Sequence, residues 1–393
     1  MAKMLGLALV LVSAAEAWLA FVLARVAGQP IDAGLAWALV PILLLANAAF
    51  LPVARRSLRS ESTLVKEAAR SWMITSIAFL LGGTLSVLAF AAIGAPVWGA
   101  DVLAAGVGEL APMEAAVGAA FGGGLLGFGA IWWGYVVGQR WVRVEHVDLP
   151  IEKGSPELAS IRIAHVTDLH IGPLLRAPRL ARLVRRINAT SPDLIVLTGD
   201  IFDFDPVYVE EGCRELGALR ARLGVFAVLG NHDVYTGADT VAEGLTKAGL
   251  TVLRDEWTMV GEGEARFCLV GAEDPGVGWA KRDAELPALD RLAREAPSDR
   301  PRLLLIHRPS FFPQAARLGF PAMLSGHTHG GQLSPPFMRE HNVSRMISRW
   351  TRGLYREGDT AMYVNPGLGV AGLPVRLNCP REIALIRLVG SGC

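Results

Sequence analysis

The apolar positions fall into two regimes along the chain. Before about residue 140 they run nearly without interruption. Four stretches, Leu5–Ala24, Gly34–Val53, Trp72–Ile93 and Ala115–Val137, reach the ~18–20 residues needed to cross a bilayer. From Ile161 onward they come in short runs: IRIAHVTD, LIVLTGD, VFAVLGN, RFCLVGA, RLLLIH, AMLSGH, AMYVN and EIALIRL. Helix-period stretches such as RLARLVRRINA and DTVAEGLTKAG fall between several of them. The first regime predicts an α-helical transmembrane bundle with four helices over residues 1–142. The second predicts an α/β domain over residues 161–393, with residues 143–160 as a linker that leads into it through a strand.

Composition sharpens this division. The chain has 393 residues, is 52% hydrophobic and carries a net charge of +1, so no global field argues for nucleic acid or acidic partners. The four cysteines, Cys213, Cys268, Cys379 and Cys393, form no CxxC pair, which argues against a disulfide framework or a zinc ribbon. LVSAAEA (Leu11–Ala17) has the small residues of a signal-peptide cleavage site, but the apolar run continues past it, so an uncleaved span is expected. The connection after the second span, RRSLRSESTLVKEAAR, is basic, whereas GADVLAAGVGELAP after the third has no Lys or Arg. The positive-inside rule then puts both termini in the cytoplasm, as expected of a multi-pass protein of the inner (plasma) membrane with a cytoplasmic α/β domain. Glu16, inside the first span, is read as a neutral or paired carboxyl, and Gly122–Gly124 with Gly127 as contacts that let helices approach closely.

Candidate chemistry sits at the ends of the short runs. The first leads into Asp168 and His170, the second into Asp200, and the third into Asn231, His232 and Asp233. RLLLIH ends in His307, and AMLSGH delivers His327 and His329. In α/β sheets the carboxyl ends of strands border the ligand crevice. Carboxylates, imidazoles and an amide oxygen together suit borderline divalent ions such as Mn, Fe, Zn or Co. Seven such groups (Asp168, His170, Asp200, Asn231, His307, His327 and His329) are too many for one tetrahedral site and suit two adjacent ions. His165 and His341 match no pattern and read as packing or surface residues.

The ordered series DxH, GD, GNHD, H and GHxH resembles the calcineurin-like metallophosphoesterases. It is most similar to their membrane-associated bacterial branch and to transmembrane proteins with a metallophosphoesterase domain. The likeness covers Ile161 to about Leu388 and extends to IHRPSFF and YVNPGLGVAGLPVRLNCPREIALIRL. It implies a sandwich of two mixed sheets flanked by helices. It also implies one metal held by Asp168, His170 and His329, a second by Asn231, His307 and His327, and Asp200 bridging both.

The expected activity is metal-dependent hydrolysis of a phosphodiester or pyrophosphate. His232 is the candidate acid for the leaving oxygen, with Asp233 beside it to fix its tautomer. Arg308 and Asn365 are candidate phosphate contacts, while Asp203 and Asp274 read as loop or supporting residues. A lipid-linked substrate is expected from the membrane spans. PFMREHNVSRMISRWTRGLYR adds to this, since as a helix it would align Met346, Ile347, Trp350 and Leu354 on one face, either for an anionic interface or for the domain's own core. Two alternatives stand beside this reading. One is a phosphodiesterase or nuclease for soluble substrates, disfavoured because no basic stripe with interleaved aromatics points to nucleic acid. The other is a non-catalytic membrane scaffold; the sequence names no protein partner.

Overall fold

The computed structural model describes residues 2–28, 38–49, 63–103, 111–277, 285–334, 342–346 and 348–390. The chain divides into two compact units, Met1–Val137 and Gly138–Cys393.

The first unit is helical: α1 (Ala2–Val26), α2 (Ala38–Ala49), α3 (Thr63–Leu103) and α4 (Ala111–Val136). Among the described residues three helices are long and apolar enough to cross a membrane, over Leu9–Val26, Ser71–Ala92 and Ala116–Arg140. The second expected span is represented by the 12 residues of α2; its flanks, like Arg55, Arg56 and Arg59, lie outside the described residues. The third expected span, Trp72–Ile93, coincides with Ser71–Ala92, and its helix α3 extends beyond that span to Leu103. α3 and α4 approach closely, and a Cβ at Gly127 would lie 2.7 Å from the Gly82 backbone, so a glycine is needed there. Glu16 is paired: Asn47 Nδ2 donates to Glu16 Oε2 at 2.9 Å and to Ser13 Oγ at 3.2 Å.

The second unit is a sandwich. One sheet contains β1 (Val142–Ile151), β2 (Ile163–Val166), β3 (Leu194–Thr198), β4 (Val225–Val228), β5 (Thr251–Val252) and β12 (Arg381–Gly390), in the order β1-β12-β2-β3-β4-β5. The other contains β6 (Glu256–Val260), β7 (Phe267–Ala272), β8 (Arg302–Ile306), β9 (Ala322–Ser325), β10 (Gly353–Glu357) and β11 (Thr360–Val364), in the order β10-β11-β9-β8-β7-β6. Both sheets are mixed. β2, β3, β4 and β5 run parallel, as do β7, β8, β9 and β11, whereas β12 against β2, β6 against β7 and β10 against β11 are antiparallel.

The unbroken apolar runs follow from this layering, because successive side chains of a strand face opposite sides. In β3, Leu194 and Val196 enter the core between the sheets, while Ile195 and Leu197 pack under α6 (Ala177–Ala189), α7 (Val209–Leu216) and α8 (Asn231–Lys247). In β8, Leu303 and Leu305 face the other sheet, while Leu304 and Ile306 pack under α9 (Pro287–Glu295) and α10 (Phe312–Arg317). Three apolar layers and two flanking helical layers result, with the carboxyl ends of β2, β3 and β4 in one sheet and β8 and β9 in the other left to carry polar groups.

The expected amphipathic helix over PFMREHNVSRMISRWTRGLYR does not form among the described residues. Val343–Met346 is one 3-10 turn, Leu354 lies on β10, and Trp350 is buried with its ring edge-on to Phe312 at 5.7 Å. Trp350 is thus a core residue: an indole with an apolar cluster within reach is buried there. Residues 335–341, including His341, and Ile347 lie outside the described residues.

Candidate metal centre

Each expected ligand lies one to four residues beyond a strand end, and the turns that aim them are tight. Asp168, His170, Asp200, His327 and His329 have φ of 50°, 49°, 49°, 72° and 51°, a left-handed backbone that L-residues rarely adopt. Cross-loop hydrogen bonds hold it: Asp168 N donates to Gly199 O and His170 N to Asp200 O, both at 3.0 Å. Strain of this kind persists only where the surroundings over-determine it, and it concentrates at functional sites. Gly230 must be glycine, since a Cβ there would collide with the backbone and carboxylate of Asp200.

Two clusters share Asp200. His329 Nε2 lies 3.2 Å from Asp168 Oδ1 and 3.0 Å from His170 Nε2, and His170 Nε2 lies 3.6 Å from Asp200 Oδ2. On the other side, His307 Nε2 is 3.2 Å from Asp200 Oδ2 and 3.2 Å from His327 Nδ1. His307 Nδ1 donates to the Thr198 carbonyl at 2.8 Å, which leaves Nε2 as the lone-pair nitrogen facing the site when the ring is neutral. Ligand atoms of Asp168, His170 and His329, and of Asp200, His307 and His327, lie within 4.8 Å of one another in each set. His170, Asp200 and His232 form a third such set.

The donors fit divalent cations. Asn231 Oδ1 is buried without a hydrogen-bond partner, an arrangement that is unfavourable unless a cation takes the lone pair. The electrostatics point the same way. Burial opposes charge on His307, but the charge and hydrogen bond of Asp200 outweigh it and raise the imidazole to about 10. Burial, then the nearby His170, holds His329 well below its ordinary value, and burial pushes Asp168 up. His307 thus supplies positive charge beside the buried Asp200 carboxylate, a role a bound cation could also fill.

The geometry redistributes several expected roles. Asp233 does not touch His232. Its carboxylate accepts from the backbone N–H groups of Gly230 (2.9 Å), Ile201 (3.0 Å) and Phe202 (2.8 Å), capping α8 and tying it to the loop after β3. Burial, then the charge of Asp200, raises Asp233 to about 6. The partner of His232 is Asp203: His232 Nδ1 lies 3.0 Å from Asp203 Oδ1, and His170 Nδ1 lies 3.5 Å from the same oxygen. Burial raises Asp203, but its two histidine partners outweigh this and hold it at about 2. The backbone N–H of His232 donates to Asp200 Oδ1 at 2.8 Å, so this residue is fixed at both ends.

Arg308 and Asn365 are buried and engaged by protein partners. Arg308 is 1% exposed, its Nε and Nη2 donating to Asp274 at 2.5 and 2.9 Å and its Nη1 to Val277 O at 3.1 Å. A guanidinium already forked onto a carboxylate is not free to clamp phosphate. Asn365 is fully buried, donating to His165 O and accepting from Gly367 N. His165 is a packing residue, its Nε2 2.8 Å from Thr198 Oγ1 and its ring pushed down to about 3 by burial.

Sequence reasoning missed the support behind the ligands. Leu368 N and Gly369 N donate to Thr167 O and Asp168 O at 3.1 and 2.6 Å, and buried Arg376 donates to Pro366 O and Gly369 O at 2.8 and 2.7 Å. Cys379 Sγ donates to His329 O at 3.2 Å. Arg376 is the sole charged residue in NPGLGVAGLPVRLNCP, the signal that could have found it. A cavity of about 550 Å³ opens over the cluster, bordered by Asp200, Asn231, His232, His327 and His329, and further out by Phe204, Tyr235, Gln332 and Met346.

Residues 161–331 match the calcineurin-like phosphoesterase family. An uncharacterized metallophosphoesterase of Aquifex aeolicus is 32% identical over 256 residues, covering 64% of this chain and 93% of that protein.

The chain belongs to the calcineurin-like phosphoesterases.

A transmembrane protein with metallophosphoesterase domain from Danio rerio is 31% identical over 254 residues, covering 63% of this chain and 57% of its own length. Its Bos taurus counterpart is 29% identical with 56% covered, so this chain spans little more than half the length of either. Among solved structures, the TT1561 protein of Thermus thermophilus aligns over 53% of this chain and 90% of its own, at 13% identity and a TM-score of 0.35. The family is one of phosphoesterases, and this chain's own Asp and His clusters, with buried Asn231 beside them, offer donors that could hold metal ions.

Proposed function

We propose that this protein is a membrane-anchored phosphoesterase that hydrolyses a phosphodiester or pyrophosphate bond of a lipid-linked substrate. In this reading Asp168, His170 and His329 would hold one divalent cation and Asn231, His307 and His327 a second, with the Asp200 carboxylate within reach of both sets. Such ions would offset phosphoryl charge and make water a usable nucleophile near neutral pH. The observation that carries the reading is the placement of Asp200, whose Oδ2 lies within 3.6 Å of His170 and 3.2 Å of His307.

The chain's own residues supply the rest. Asp203 occupies Nδ1 of His232, so Nε2 is the nitrogen that delivers a proton to the departing oxygen. The backbone bond from His232 to Asp200 keeps that proton donor in register with the cluster. The helices of the first unit favour anchoring, and anchoring favours a substrate in the same membrane. The basic second connection and the third without Lys or Arg favour a cytoplasmic catalytic domain. A reporter fused after Cys393 is expected to be cytoplasmic; protease access to it from outside intact spheroplasts would overturn that topology.

The test is hydrolysis by detergent-purified full chain with Mn added, comparing a lipid phosphodiester in mixed micelles with a soluble diester of the same head group. Preference for the lipid is expected, and equal kcat/KM on both would remove the lipid reading. His232→Ala should retain metal while turnover falls roughly 10²–10⁴-fold. Loss of metal would instead assign His232 to the set it forms with His170 and Asp200.

A further inference from the structure

The polar centre has an apolar lip. Phe204 is 58% exposed, Tyr235 41% and Met346 75%, and all three border the cavity over the cluster. Exposed large apolar side chains need no explanation singly, but three around the mouth of one cavity do. Phe204 is also held out by its backbone, at φ 52°, which a phenylalanine adopts only when its surroundings enforce it. Its ring stacks on Tyr235, with planes 3° apart and centroids at 5.8 Å, and lies 4.2 Å from the imidazole of His232. Tyr235 lies 5.8 Å from the same imidazole.

That adjacency has a direction. If His232 protonates the departing oxygen, the part of the substrate beside His232 is the leaving group. We propose that Phe204 and Tyr235, with Met346 at the same mouth, form a subsite for an alkyl or acyl chain carried by the leaving group rather than by the retained phosphate. In the reaction, water oxygen bonds to phosphorus, the P–O bond to the chain-bearing alcohol breaks, and His232 gives that oxygen its proton. Apolar rings and an unbranched thioether suit a flexible chain, which they contact without demanding one shape. This assignment rests on the phosphoesterase reading and on His232 as the proton donor.

Methyl n-alkyl phosphodiesters, from ethyl to hexyl, separate the two sides within one molecule. The full chain in detergent with Mn can release either methanol or the longer alcohol, and both are counted. The expected result is preferential release of the alkanol, its ratio to methanol rising at least about tenfold from ethyl to hexyl, since each buried methylene contributes up to about fourfold. Phe204→Ser combined with Met346→Ser should bring the hexyl ratio back towards the ethyl value. An excess of methanol would put the chain on the retained side, and a ratio flat with chain length would abolish the subsite; either overturns the proposal. A steep ratio unchanged in the double variant would overturn its assignment to these residues. Hydrolysis of no member at all would overturn the phosphoesterase reading and the subsite with it.

Discussion

His232 Nδ1 lies 3.0 Å from Asp203 Oδ1, although the two are 29 residues apart and a closer carboxylate, Asp233, follows His232 directly. Helix geometry explains the choice. In the first turn of α8, adjacent side chains diverge, and a carboxylate at the third helical position folds back onto the free N–H groups of the helix start. Asp233 takes that role, and the loop after β3 brings Asp203 to the imidazole instead.

The two carboxylates should therefore fail differently. Asp203→Asn should lower kcat by about tenfold or more with little change in Tm, since it removes the charge that orients the proton donor. Asp233→Asn should lower Tm, losing charge-assisted bonds worth ~1.5–3 kcal/mol each. Steady-state kinetics and thermal unfolding on the same two variants decide it, and the opposite pairing of effects would contradict the assignment.

Arg308 and Asp274 form a buried forked pair, so their exchange reports on stability. Arg308→Met leaves Asp274 buried without its partner and should cost about 3–5 kcal/mol. Adding Asp274→Leu should recover a large part of it, measured by denaturant unfolding. Recovery of neither, together with a raised KM for phosphoester, would return Arg308 to the role of phosphate contact.

Glu382 gives the fold a pH dependence. It accepts from Tyr363 Oη at 2.5 Å, and burial raises its carboxyl from 4.5 to about 7. The folded state then holds a proton that the unfolded state releases, so stability falls as pH rises between about 4.5 and 7. Glu382→Gln should lack this contribution, so the variant's Tm should rise relative to the parent's from pH 5 to pH 8. A constant difference would show that Glu382 titrates normally.

The ligand series was legible because each member is fixed by local chemistry, an apolar run that stops at Asp, Asn or His beside Gly. The strands β2, β3, β4, β7, β8, β9, β11 and β12 were legible for the same reason, their double burial writing itself as continuous apolar runs. The partners of those ligands were not. Asp203 reaches His232, and Gly369 reaches Asp168, only through tertiary closure, which no periodicity encodes. Trp350 and Leu354 show the converse: a spacing that suits an amphipathic helix belongs to a turn and an edge strand, because burial of the indole against Phe312 decides the local conformation.

If Asp200 is shared between two cations that together support hydrolysis, metal content and activity rise and fall together. Full chain stripped with chelator and titrated with Mn should regain phosphodiesterase activity as two equivalents bind, counted by elemental analysis. Asp200→Asn should lose at least one equivalent and most of the activity. Hydrolysis that survives complete metal removal, or an Asp200→Asn variant with both equivalents and full turnover, would contradict the account.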